Sequence, residues 1–542
     1  MIKLPSGIKD NLQFLCVEVD SQLANMQLYF QQSTPTIIKQ IRERVGYAYN
    51  LKTRIHSSVI NQLLTQELDE QTIFGLRNVE FIANDLEHIT EICRNCISEA
   101  ESLISFDGLM TKHYIKLLKR IQHAVKLIIP AIEHTDSKVA IEIGQINDVL
   151  EEEYKKNFKK QYANLTNNQK SQYYNISIAI AYELKQMGTA LVNICESIIS
   201  ANLGQPVSFD HYFSLQSLMS DIDSDEQHLQ IDMVAQTRSG SAISGISSPK
   251  DGHLGIYKGG RKQKLKEEKQ GVQNWHQIYP GLAPKILSYK KKGETAALLI
   301  EHLPGYTFEQ IVLNDTPELL AKSQKKLNKI LRSLWTETQV DKVINAKYMQ
   351  QMKKRLPEVY KIHPEFYQSN TIVCGRTILA FDDLIKRAEE QENKWPAKFS
   401  VYIHGDFNID NIIYDPQTNK INFIDLHRSC YMDYVQDVST FMVSNYRLQI
   451  LDSPRRQRIM AAALTMYGVA RRYAVKHNDV SFEFRLALGL ARSFATSARF
   501  ILDKSLALEM FLRAQYLLEL VLTIESEKLS TFRIPLKEIF VE

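Results

Sequence analysis

The chain has 542 residues, 44% of them hydrophobic and 24% charged, with a net charge of +4. At ~150 residues per domain this is length for three or four structural units with large cores. So small a basic excess excludes a nucleic-acid binder, which concentrates basic residues on one face. No apolar run approaches the ~18 residues of a membrane span, and the start, MIKLPSGIKDNLQ, lacks the apolar core of a signal peptide. Six scattered cysteines make no disulfide framework, so a reducing cytoplasm is the expected setting.

Up to about residue 202, glycine and proline are rare and apolar residues recur at helical spacing, as in 77–104 and 170–202. Breaks near Ser33-Thr34-Pro35, Phe106-Asp107-Gly108 and Thr135-Asp136-Ser137 divide this half into about six helices. Residues 203–228, with LGQPVSFDH and the acidic DIDSDEQ, read as a connector. From 229 to 303 the pattern is β-rich (LQIDMVAQ, AISGISS, HLGIYKG, KILSYKK, ETAALLIEHL), with one helical stretch at 265–279. After 316 helices return, apart from a pair of strands near 412–425. The order predicts a five-stranded sheet with one inserted helix, followed by a mostly helical lobe.

That pair of strands lies in VYIHGDFNIDNIIYDPQTNKINFIDLHR (401–428). Strands 412–415 and 421–425 are joined by residues 416–420, a hairpin that brings Asn411 and Asp425 to one end, with Asp406 on the preceding turn. Asp and Asn are poor strand formers and costly to bury unpaired, so their placement asks for a chemical reason. Two oxygen ligands beside a third carboxylate suit Mg²⁺, which takes its remaining ligands from water and phosphates. The third carboxylate can accept a proton from an attacking hydroxyl.

HGDFNIDN followed by FIDLHR resembles the aminoglycoside phosphotransferase and choline kinase group of the kinase-like superfamily, over about residues 229–528. His404, Gly405, Asp406 and Asn411 match the His-Gly-Asp-x4-Asn signature. The resemblance implies a bilobal α+β fold, ATP, Mg²⁺ and a small-molecule hydroxyl acceptor. It implies Asp406 as the catalytic residue, Asn411 and Asp425 as metal ligands, and Asp437 as the brace of the catalytic loop. In the N-lobe it implies that TRSGS (237–241), with Gly240 and Ser241, covers the phosphates, although it has one glycine where the family of loops has three. Lys258 would meet the α- and β-phosphates, paired with Glu268, or Glu267 as the alternative. The backbone at Glu301 and Leu303 in LLIEHLPG would bond the adenine. Only 12 residues separate Asp425 from Asp437 (437 − 425), and Gly405 replaces the arginine of protein kinases, so a small molecule is favoured over a peptide as acceptor.

In the first half, NDLEHITEICRNC (84–96) resembles the Asp-Leu-Glu-Arg-Ile-Gly-Asp segment of PhoU-type phosphate-regulation proteins. YELKQMGTALVNICE (182–196) resembles its second copy, with Glu183 matching Asp85 across 98 residues (183 − 85). The likeness implies a pair of three-helix bundles and a protein partner. It also implies an i,i+4 carboxylate pair for metal in each copy. Here Glu87 and Glu91 stand in the first copy, either as ligands or as a solvated face, while Lys185 and Thr189 replace them in the second. Cys93 and Cys96 have no second pair of matching spacing, so helix packing is their expected role.

The basic segments 258–266 and 290–292 read as solvated N-lobe surface. Arg485, Arg492 and Arg499 recur every seven residues and share one helix stripe: a charged outer face, which is the commoner use, or the lining of an acceptor pocket for an anionic substrate. The whole chain then reads as an all-α PhoU-like domain (1–202), a linker (203–228) and a kinase-like phosphotransferase domain (229–542), its N-lobe 229–303 and its helical C-lobe 304–542. The two resemblances imply that it moves the γ-phosphoryl of ATP to a small-molecule hydroxyl under control of the helical domain. The alternative is a non-catalytic nucleotide-binding regulator or adaptor in phosphate-related signalling.

Overall fold

The structure is a computed structural model that describes residues 4–540 except 66, 104, 163–170, 205, 210–211, 213–229, 237–241, 249–251, 293–294, 315 and 451. The chain divides into two compact units, with the division falling within residues 227–236.

The described part of the first unit is helical: α1 (Ser6–Gln31), α2 (Pro35–Glu43), α3 (Val45–Thr65), α4 (Glu70–Ala100), α5 (Thr111–Glu133), α6 (Ser137–Tyr162) and α7 (Ser171–Leu203). The first expected break is a cap: the Thr34 hydroxyl accepts from the Ile37 N–H and Pro35 opens the helix. The described residues up to Leu203 form seven helices rather than about six, with two breaks that were not expected. One falls at Arg44; the other is closed by Asp69, whose carboxylate accepts from the Thr72 N–H and caps α4. The break before Asp69 carries no glycine or proline to announce it, and the one at Arg44 is marked only by Gly46.

Helices α4 and α7 carry the two related segments and pack side by side. Asn193 Nδ2 donates to Asp85 Oδ1 at 3.1 Å, and Asn95 hydrogen-bonds the Glu183 carboxylate. Asn193 and Asn95 are 98 residues apart (193 − 95), the same offset as Glu183 and Asp85, so each copy holds the other by equivalent residues. Cys93 and Cys96 are fully buried between these helices, and burial pushes the Cys93 thiol up to about 12; both act as packing residues. Glu87 is engaged by Lys52 Nζ at 3.0 Å, while Glu91 meets His88 at the surface. They join no metal-ligating cluster among the described residues.

From residue 230 the chain forms a five-stranded sheet of order β1-β2-β3-β5-β4: β1 (Gln230–Gln236), β2 (Ala242–Ser248), β3 (Gly252–Arg261), β4 (Ile286–Lys292) and β5 (Thr295–Ile300). Helix α8 (Lys262–Ile278) follows β3 and lays Leu265 on the sheet against Ala296, Leu298 and Ile300. Residues 301–304 lead into β6 (Tyr306–Thr307), α9 (Phe308–Asn314), α10 (Pro317–Glu337) and α11 (Tyr348–Ile362). A small hairpin, β7 (Thr371–Val373) and β8 (Arg376–Ile378), precedes α12 (Phe381–Glu392) and β9 (Val401–Ile403). Then come β10 (Ile412–Asp415), β11 (Lys420–Phe423), β12 (Cys430–Met432), α13 (Val435–Tyr446), α14 (Ser453–Lys476), α15 (Phe482–Ser497) and α16 (Lys504–Leu522). Helix α13 is buried at every position, and around it the core gathers Trp335, Tyr434, Tyr473 and Phe494. Gly305 has φ +110°, and a Cβ there would lie 2.2 Å from the Tyr414 carbonyl, so the segment between the lobes lies flush on β10.

One buried carboxylate gives a pH-dependent term. Glu392 accepts from the Tyr348 N–H (2.6 Å) and Met349 N–H (3.2 Å), satisfying donors at the start of α11, yet burial outweighs those bonds and pushes its carboxyl up to about 7. Because the folded value lies above the ordinary 4.5, this group's contribution is full below about pH 4.5 and is lost as pH rises through 7. Denaturant midpoints should show the stability of the native chain relative to Glu392→Gln falling by about 3 kcal/mol between pH 4.5 and 7.5. A pH-independent difference would refute this.

Candidate active site

Strand β9 ends at Ile403 and the chain turns through His404, Gly405 and Asp406. Gly405 has φ +84°, and a Cβ there would meet the Arg428 carbonyl at 2.3 Å, so the turn requires glycine. Asp437, in the first turn of α13, accepts from the His404 N–H (2.7 Å) and the Gly405 N–H (2.9 Å). Burial pushes its carboxyl up to about 6 against those two bonds. His404 Nδ1 accepts from the Asp406 N–H (3.3 Å), which leaves Nε2 to donate to the Ile424 carbonyl (2.8 Å). The histidine thus links the two turns that carry the candidate residues.

Asp406 is partly exposed. Its Oδ2 lies 2.9 Å from Arg428 Nη1 and its Oδ1 accepts from Asn408 Nδ2 at 3.0 Å. Asn411 Nδ2 donates back to the Asp406 carbonyl (2.9 Å), turning its Oδ1 the other way, and its own carbonyl accepts from the Ile424 N–H (3.0 Å). Asp425 therefore follows directly on a residue held by Asn411. It does not close the strand, as the apolar pattern suggested: β11 ends at Phe423, and Asp425 stands two residues beyond in the left-handed region (φ 61°, ψ 54°). A non-glycine residue there costs on the order of 1–2 kcal/mol, and the hydrogen-bonded loop holds it.

Lys258 on β3 and Glu268 on α8 form a buried ion pair of 2.9 Å. Burial opposes the Lys258 charge, but Glu268 and Asp425 outweigh it and raise its pKa. Asp425 is likewise opposed by burial, yet its bond with His427 and the charge of Lys258 hold its carboxyl well below the usual range. His427 Nδ1 lies 3.2 Å from Asp425 Oδ1 and 3.7 Å from Glu268 Oε2, and these carboxylates push the imidazole up to about 9 despite its burial. The structure thus gathers Lys258, Glu268, Asp425 and His427 into one charged network. His427 was not singled out from the sequence; a histidine two residues after the Asp is the only local cue.

Helix α8 is fastened to this loop. A Cβ on Gly271 would fall 2.1 Å from the Leu426 carbonyl, and Trp275 Nε1 donates to Ser429 Oγ (2.8 Å), which donates to the His404 carbonyl (3.1 Å). Gly→Ala inside an exposed helix stabilises by roughly 0.5–1 kcal/mol. Here Gly271→Ala should instead destabilise by about 1–3 kcal/mol, because backbone must move, and should weaken nucleotide binding through Glu268. Denaturant midpoints and nucleotide calorimetry measure both; a stabilised variant with unchanged affinity would contradict the contact.

The remaining expected residues fall as follows. The Glu301 N–H donates to the Lys285 carbonyl (2.9 Å) and its Oε1 accepts from the Lys285 N–H (2.8 Å), so of its backbone only the carbonyl is left for another partner. Leu303 lies half-buried beyond β5. Gly240 and Ser241 lie outside the described residues. Arg485, Arg492 and Arg499 do not form an outer face. Arg485 and Arg492 are buried, Arg485 in ion pairs with Asp433 and Asp479, because α15 is packed on all sides.

Residues 276–473 match the model of the phosphotransferase enzyme family. The matched stretch contains Asp406, Asn411, Asp425 and Asp437, and begins after Lys258 and Glu268. The second unit is accordingly a kinase-like α+β fold. Among solved structures, the chain is similar to an aminoglycoside-3'-phosphotransferase of type VIII (16% identity, 48% of this chain and 91% of that one, TM-score 0.33). It is similar to choline kinase from Cryptosporidium parvum Iowa II (13%, 59% and 95%, TM-score 0.32). The helical half is similar to PhoU from Pseudomonas aeruginosa (18%, 36% and 94%, TM-score 0.33). No curated protein matches the chain. No helix among the described residues is long and apolar enough to cross a membrane.

Proposed function

We propose that the chain is an ATP- and Mg²⁺-dependent phosphotransferase that moves the γ-phosphoryl group to a hydroxyl of a small molecule in the cytoplasm. The observation that carries this reading is the joining of Asp406, Asn411 and Asp425 through shared loop hydrogen bonds, next to the buried Lys258–Glu268 pair. Hard oxygen donors at Asn411 and at a firmly ionised Asp425 fit Mg²⁺. When bound, the ion and nucleotide supply the phosphoryl group and neutralise the charge on it. Lys258, oriented by Glu268, places the α- and β-phosphates. The Glu301 carbonyl and Leu303 hold the adenine, and Gly240 and Ser241 cover the phosphates. Asp406 orients the acceptor hydroxyl and takes its proton, while Asp437 holds its turn in place. Incubation with labelled ATP and fractionated metabolites should yield a labelled small-molecule product.

The rival reading is a nucleotide-binding regulator or adaptor in phosphate-related signalling; it requires nucleotide binding without turnover in any metabolite fraction. Residues 1–202 act in our reading as a PhoU-like regulatory domain, joined by 203–228 to the phosphotransferase domain 229–542, and meet a protein partner. Its carboxylates stand on long helices beside no nucleophile or base. Removing residues 1–202 should leave phosphoryl transfer measurable; loss of all transfer from a folded fragment would oppose the assignment.

A further inference from the structure

The charges of four arginines act on Asp406, and they come from separate parts of the C-lobe. Arg428 pairs with it directly. Arg355 comes from α11, Arg492 from α15, and Arg499 from the turn that follows α15; α11 packs against both α15 and that turn. The side chains are close enough for their charges to act on one another. Burial, followed by the charges of Arg492, Arg428 and Arg499, lowers Arg355 to about 10, with Asp406 opposing.

Arg355 and Arg492 lack counter-charge, and Arg499 has only a partial one. Arg492 is 94% buried (6% exposed), yet its Nε has no hydrogen-bond partner and its Nη2 makes one long contact of 3.4 Å to Thr440 Oγ1. The Tyr348 ring lies 5.8 Å from its guanidinium. Arg499 Nη1 is also buried without a partner, and its Nε meets only the exposed Glu358 at 3.2 Å. Among the described residues, neither Arg355 nor Arg492 has a carboxylate within 4.0 Å. Arg485 shows the contrast: one heptad earlier on the same helix and equally buried, it is held by Asp433 and Asp479. A buried guanidinium without an anion is costly by several kcal/mol, so buried charges are normally paired.

We propose that the acceptor is itself an anion: a hydroxyl compound with a phosphate or carboxylate group that seats on Arg355, Arg492 and Arg499 and draws Arg428 away from Asp406. The planar guanidinium forks suit the oxygens of either group. Seating the anion would both complete the pocket and free the Asp406 carboxylate for the hydroxyl. The inference rests on the phosphotransferase reading for the hydroxyl but not for the anion site.

The test is calorimetric titration of the full chain, saturated with Mg²⁺·ADP, with inorganic phosphate and in parallel with lactate. Arg355→Gln, a half-buried site expected to fold, and Arg492→Lys are the variants. Phosphate or lactate should bind, at least tenfold more weakly in each variant, while Mg²⁺·ATP affinity stays within twofold. The tighter of the two anions names the group. Absence of anion binding, or equal binding in native chain and Arg355→Gln, would overturn the inference. So would labelled transfer from ATP to cationic amino sugars or neutral polyols in preference to sugar phosphates and hydroxy acids, although the phosphotransferase reading would survive. Anion binding that depends on Arg355, without transfer to any acceptor, would keep the anion site and remove the phosphotransferase reading.

Discussion

Asp406→Asn should reduce single-turnover phosphoryl transfer by roughly 10²–10⁴-fold, the range of a lost general base. It should leave Mg²⁺·ATP affinity nearly unchanged. In the proposed reaction this carboxylate receives the hydroxyl, and among the described residues no hydrogen bond or ion pair joins it to Lys258 or Glu268; its partners are Arg428 and Asn408. The amide keeps the shape and the Asn408 contact but cannot take a proton. Asp410, exposed on the same turn, is the internal control: Asp410→Asn should alter neither quantity. Equal losses at the two positions would remove Asp406 from the chemistry.

The second large effect is at Asp425. Asp425→Asn should weaken Mg²⁺·ATP binding by roughly 10–100-fold, in line with changes around bound metals, and reduce transfer with it. Two causes add. One anionic oxygen is lost, and Lys258 and His427 lose a charge that keeps both protonated. Calorimetry with ADP alone and with Mg²⁺·ADP separates the two, because loss of a metal ligand should appear chiefly in the Mg²⁺-dependent part. Unchanged nucleotide binding and turnover would exclude Asp425 as a ligand.

The parts of this site that were legible in the sequence are those written in local spacing. Asp406 and Asn411 are five residues apart on one turn, and a hairpin of ordinary length brings Asp425 to them. Lys258 and Glu268 lie at the end of one strand and in the helix that follows. The arginine stripe was legible only as a choice between an outer face and a pocket lining, because a seven-residue period says that residues share a face and not what covers that face. Asp433, Asp479 and Thr440, which cover Arg485 and Arg492, come from other segments. Arg355 carried no cue at all, since only the packing of α11 brings it to the pocket. The helical half shows the same division. The 98-residue offset was visible, whereas the reciprocal asparagine bonds that use it were not.

The fastening of α8 has a consequence for control. In protein kinases the equivalent helix is a moving part, and activation consists of bringing its glutamate to the lysine. In this chain Gly271 lies directly on the Leu426 backbone, and Trp275 is tied through Ser429 to the His404 carbonyl. An outward swing would break those bonds and expose a fully buried indole. The ion pair is consequently standing equipment, assembled before any ligand arrives. A signal reaching this molecule therefore cannot act by swinging α8 into place, and has to work through another part of the cleft.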